Sequence, residues 1–182
     1  ETGTMSMVGI VEAQAQPVFH LGDVGIRLPY LLQGQVVGFF IFMTASLAEL
    51  SRIPFDMPIA ESELVSGYMT EYSGFRFLIF FIGEFATAGV FAFIASILFL
   101  GGWGVPFSWF GWDTIDSIDN WMNVVGPLIM FSKMVLLTGI IMWVRISFPR
   151  LREDQLQGFA WKVLIPISLA NIAITAILKV AV

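Results

Sequence analysis

The sequence predicts an all-α membrane protein with about four transmembrane helices. Three observations predict it. Four strongly apolar runs of about twenty residues recur along the chain, the length a helix needs to cross a hydrocarbon core. The chain is 57% hydrophobic with a mean hydropathy of +0.83, which excludes an ordinary soluble domain. No segments show the alternation of lipid-facing and polar residues that barrel strands need.

The N-terminal 29 residues are mixed. Met5 to Gln14 reads as the tail of a preceding helix, and Pro17, Gly22, Gly25 and Pro29 then break regular structure, so a surface connection is expected. Glu12 is either a satisfied helix-end acid or part of a buried acidic chain. No charged-then-apolar signal precedes Met5, and the chain reads as beginning inside a longer protein. The spans are expected at about 30–48, 77–100, 122–144 and 163–181. Gln33 and Gln35 lie near the start of the first, within reach of water or headgroups. Lys162 and Lys179 flank the last and can snorkel to the two interfaces. Gly126, Pro127, Gly139 and Pro166 interrupt the later spans, as functional and purely structural membrane helices both do.

Lys and Arg placement sets the orientation. The connections 49–76 and 145–162 carry Arg52, Arg76, Arg145, Arg150, Arg152 and Lys162, whereas the opposite side carries Arg27 and Lys179. The stretch 49–76 is therefore expected in the cytoplasm. The opposite connection, 101–121, carries Asp113, Asp116 and Asp119. Trp103, Trp109, Trp112 and Trp121 there read as an interfacial aromatic anchor.

Composition narrows the chemistry. There are no cysteines, so thiolate-held iron–sulfur clusters, Cys-based zinc sites and disulfides are excluded on this chain. The single histidine, His20, cannot build a metal site alone. A net charge of -5 argues against nucleic acid as a partner.

The polar residues gather in the loop 49–76, where Glu49, Asp56, Glu61, Glu63 and Glu71 stand against Arg52 and Arg76. A solvated acidic loop is the plain reading. Against it, Arg52-Ile-Pro-Phe-Asp56-Met-Pro58 holds two stiffening prolines with Phe55 among the charges. Ala60 to Tyr72 mixes acids with Leu64, Val65, Tyr68 and Met69, as a short half-buried helix would. Two charges lie inside spans, Glu84 in the second and Lys133 in the third. A mid-bilayer charge costs about 2.5–3.5 kcal/mol on insertion scales, so each needs a partner or a watery path. Counted along their helices, the two differ in height by roughly 6 Å. Either they form a static ion pair, or they belong to a proton relay.

The run from Arg52 through Phe77, with Gly67-Tyr68 and Glu71-Tyr72-Ser73-Gly74, resembles the central loop of the NuoH-type membrane subunits of respiratory complex I, also known as the NADH dehydrogenase subunit 1 family. Trp143 to Leu156 and Trp161 to Pro166 resemble that family's last cytoplasmic loop and helix, Phe131-Ser-Lys133 its Lys-bearing span, and Val11-Glu-Ala-Gln14 the end of an earlier helix. The resemblance covers nearly the whole chain. It implies a fragment of a membrane protein of roughly eight spans in a bacterial cell inner membrane. It implies a membrane subunit of proton-translocating NADH:quinone oxidoreductase that forms part of the quinone chamber and the start of the proton path, with no catalytic residue on this chain alone. Quinone is then a substrate, while metal, flavin and iron–sulfur groups sit on other subunits. The implied partners are the peripheral-arm quinone-site subunits, the antiporter-like membrane subunits and the lipid bilayer. By motif position Arg52, Phe55, Asp56, Glu61, Glu63 and Glu71 match the quinone-side loop, and Glu71, Glu84 and Lys133 fall on the implied proton path.

One departure stands out: Ile59 occupies a place where the family usually has an acid. If Asp56 caps the loop helix, a capping-box Glu there would reach back to it, and Ile59 removes that bond. Two rival functions remain. The membrane subunit of an energy-converting hydrogenase usually departs from Pro54-Phe55-Asp56 and from the Gly67–Gly74 pattern. A stand-alone ion carrier would carry inverted repeats, and none is found.

Overall fold

A computed structural model describes residues 3–21, 24–56, 67, 70–104 and 119–181. In chain order it has helix α1 (Met7–Gln14), strands β1 (Phe19–Leu21) and β2 (Val24–Ile26), and helices α2 (Val36–Glu49), α3 (Phe75–Phe99) and α4 (Asp119–Ser147). Helix α5 (Glu153–Phe159) then runs through a π turn (Ala160–Leu164) into α6 (Ile165–Ala181). The chain forms two compact units, Glu1–Phe39 with Ala92–Leu137, and Phe40–Phe91 with Thr138–Val182.

In the first unit, Ser6 caps α1 by accepting from the Gly9 amide. The expected surface connection contains an antiparallel hairpin instead, with Phe19 opposite Ile26, His20 opposite Gly25 and Leu21 opposite Val24. Pro17 and Pro29 do break the chain, but outside the strands, where a missing amide leaves the ladder intact. The core is small: Val11, Ile97 and Met130 are buried together, with Ile10 and Trp103 packed on them. Trp103 therefore serves the core as well as any interface. Trp109, Trp112, Asp113 and Asp116 lie outside the described residues.

The first apolar run does not become regular helix at once. Residues 30–35 form turns, with Leu32 N donating to Pro29 O and Gln35 N to Tyr30 O. The Gln33 side-chain Nε2 donates to Leu28 O, and Gly34 has a φ of 107°. A right-handed helix cannot pass through that φ, so α2 starts at Val36 and has 14 residues, a length of about 21 Å. Among the described residues, three helical segments are long and apolar enough to cross a membrane: Phe75–Phe99, Val125–Ser147 and Glu153–Val180.

The last of these starts earlier than the apolar run suggests. The Arg152 amide donates to Gln155 Oε1, half of a capping box, and Glu153 and Asp154 sit in the first turn where the helix dipole favours acids. Pro166 has no amide to offer Lys162 O. The chain widens by one residue there, and the Ile165 amide reaches back to Ala160 O. Broad apolar surface stays exposed on the second unit, including Phe75, Ile79, Ile82, Trp161, Leu169 and Ile177, as expected of helices that face lipid or other spans.

Candidate functional site

The site in the second unit starts from how α2 ends. Ser51 takes a left-handed φ of 47°, a position usually given to glycine. The Ser51 amide then donates to Ala48 O and the Arg52 amide to Leu47 O, closing a Schellman turn. The next turn is closed by Phe55 N donating to Arg52 O at 2.6 Å. Leu50 and Phe55 are buried and anchor the turn, and the Leu151 amide binds Pro54 O. Pro54 thus helps a fixed turn rather than an open loop, while Pro58 lies outside the described residues.

That turn carries Arg52 to Glu84 on α3. Arg52 Nε lies 2.6 Å from Glu84 Oε1, and the two side chains are only 11% and 16% exposed. The guanidinium also stacks 5.1 Å from the Phe85 ring centre. Arg145 on α4 and Asp56 are close enough to act electrostatically on Arg52. Burial pushes the Arg52 guanidinium below its ordinary value. Glu84 pulls it up, Arg145 pushes it down and Asp56 pulls it up. A guanidinium stays protonated through such shifts, so the cation is permanent. Among the described residues, Arg52 Nη2, Asp56 Oδ1 and Glu84 Oε1 are buried without a hydrogen-bond partner, Glu84 Oε1 being ion-paired with Arg52. The cluster therefore keeps an unused guanidinium nitrogen beside two carboxylate oxygens, one of them held only by the ion pair.

Of the residues singled out in the sequence, Arg52, Phe55, Asp56 and Glu84 fall within this unit's turn and the helix it meets. Glu71 also belongs to this unit and is exposed, as is Glu49. Glu61, Glu63 and Ile59, with most of the expected loop helix, lie outside the described residues. Glu84 and Lys133 each have their own partners. Glu84 has Arg52, while Lys133 Nζ donates to the carbonyls of Leu100, Gly102 and Gly104 at 2.8, 2.7 and 3.0 Å. Counting helix heights pointed Glu84 to Lys133 because it weighed only charges inside the spans. It left out a loop arginine folded back by a Schellman turn.

Gln14 and Arg145 were not singled out. Gln14 is almost fully buried, and its amide donates to Ile97 O at 2.8 Å and Leu98 O at 3.3 Å, while its Oε1 accepts from Tyr30 N. The signal was available: an amide next to a helix end, inside an otherwise apolar chain, has to find carbonyls. Among the described residues, no three His, Asp or Glu side chains cluster as metal ligands would.

The sequence model of the NADH dehydrogenase family matches residues 1–176. The chain belongs to this family. It is 41% identical over 177 residues, 97% of its length, to the H subunit of NADH-quinone oxidoreductase from Geobacillus thermodenitrificans. To the protein of the same name from Bacillus cytotoxicus it is 47% identical over 175 residues, and to that of Bacillus cereus strain B4264, 47% over 145. It spans 46%, 49% and 40% of those relatives, about half their length. These names do not favour the hydrogenase or stand-alone-carrier readings.

Proposed function

We propose that this chain forms part of the quinone chamber, and the entry to the proton path, of a proton-translocating NADH:quinone oxidoreductase. Its place would be a bacterial inner membrane, with the 49–76 loop on the cytoplasmic side. Its partners would be the peripheral-arm quinone-site subunits and antiporter-like membrane subunits of the same complex. The observation that carries this reading is the Arg52–Glu84 pair at 2.6 Å, set by the Pro54-Phe55-Asp56 turn in a chain of this family. Reducing a quinone creates negative charge that must be met by protons. A carboxylate held by a permanent cation is a sensitive receiver of such charge. When Arg52 is drawn to the reduced quinone, Glu84 loses its counter-ion in a poorly hydrated place and gains affinity for a proton. Asp56, with Glu61, Glu63 and Glu71, would pass protons toward it, and Phe55 would wall the cavity.

Lys133, also on the implied path, donates to the carbonyls of Leu100, Gly102 and Gly104. Replacing Glu71 or Glu84 by Gln in the full-length protein tests the proposal. Proton movement per quinone reduced should fall several-fold in each variant. Undiminished pumping in both would refute the assignment.

A further inference from the structure

The turn after α3 aims three carbonyls at one point. Leu100, Gly102 and Gly104 supply them, all within 3.0 Å of Lys133 Nζ. These are alternate residues, and Gly101 and Gly102 take left-handed φ values of 71° and 54° in the turn that brings the oxygens together. The point lies at the C-terminal end of α3, where the helix dipole leaves roughly half a negative charge.

The carbonyls before it have other donors. Ser96 O accepts from the Leu100 and Gly102 amides, Ile97 O and Leu98 O from Gln14, and Phe99 O from the Leu31 amide. What remains to be answered is a set of three oxygens facing one cation. The cradle is tightly built, since a Cβ on Gly102 would sit 2.6 Å from Val11 Cγ2. An ammonium brings three N–H donors to these oxygens, whereas a neutral amine has two. Loss of the proton would leave a carbonyl without its donor where water is scarce.

We propose that the turn at Leu100, Gly102 and Gly104 is a site for a small monovalent cation, which this chain fills with its own Lys133 ammonium. Lys133 then holds a fixed charge that clasps the end of α3 and hands on no proton. Ammonium and potassium ions, which accept carbonyl oxygens as ligands, are the class that would occupy the site when the side chain is cut back. The cation site does not depend on the quinone reading, because its readout is stability, whereas the fixed charge rests on that reading.

The test uses Lys133→Ala in the full-length protein in its membrane complex, melted in ammonium, potassium or choline chloride at equal ionic strength. In choline the variant should melt well below the wild type. Ammonium or potassium should restore at least half of the lost Tm, with the wild type indifferent to the choice. A variant as stable as wild type in choline would overturn the proposal, as would a loss that neither small cation repairs better than choline. Should the variant fail to accumulate, its amount in membranes from cells grown with and without added ammonium is the readout, and equal scarcity counts against the site. A second arm uses Lys133→Arg, since arginine keeps its charge and releases no proton. A fixed charge predicts that this variant retains at least half the wild-type proton movement per quinone reduced. Quinone turnover kept with pumping lost would show that Lys133 is a proton carrier.

Discussion

Arg52 and Lys133 are both basic side chains set against α3, and they are answered in opposite ways. Arg52 meets a carboxylate, an aromatic face and, at longer range, Arg145 and Asp56. Lys133 meets backbone carbonyls at 2.7 to 3.0 Å. A carboxylate can take up a proton and release its partner, but a peptide carbonyl cannot do so near neutral pH. On the reading proposed above, the first arrangement responds to charge arriving nearby. Two basic residues of one chain thus differ in what they touch.

The comparison can be broken from either side. The largest effect is expected from Glu84→Gln, which leaves the Arg52 guanidinium buried without its counter-ion. Breaking such a pair costs about 3 kcal/mol or more, read as a lower Tm of the full-length protein. Arg52→Met with Glu84→Gln should recover much of that loss while leaving pumping impaired, which would separate the pair's charge from its packing.

At the other end, Gly102→Ala should cost about 2 kcal/mol, from the left-handed backbone and the Val11 contact together. Adding Val11→Ala should return only part, because the backbone strain stays. Gln14→Leu should cost about 1–3 kcal/mol, since Ile97 O and Leu98 O lose their donor inside the protein. Thermal melts of both variants check this, and an unchanged Tm for Gln14→Leu would mean that those carbonyls find another donor.

Smaller changes sharpen the Arg52 side. Phe85→Leu keeps the bulk but removes the aromatic face, with an expected loss of about 0.5–1 kcal/mol. Ser51→Gly should stabilise by up to about 1 kcal/mol, because glycine enters the left-handed position without the steric penalty of a Cβ. A destabilised Ser51→Gly variant would argue against the Schellman turn that delivers Arg52.

Much of this was legible in the residues. Runs of apolar side chains near the thickness of a bilayer fix a helical membrane chain, because only internally bonded backbone is tolerated there. The Pro54-Phe55-Asp56 motif marked the turn, and Glu84 and Lys133 stood out as charges without local explanation. The sequence determined this much because hydropathy and backbone propensity act over a few residues at a time. Only the tertiary structure decided that residues 30–35 turn before α2 begins, that a hairpin lies within the first 29 residues, and which partner each buried charge takes. Those outcomes rest on a left-handed glycine or serine, and on contacts such as Gln14 to Ile97 that join residues far apart in the chain. A partner's charge can be read from a sequence; its direction of approach is set by turns whose geometry depends on everything packed around them.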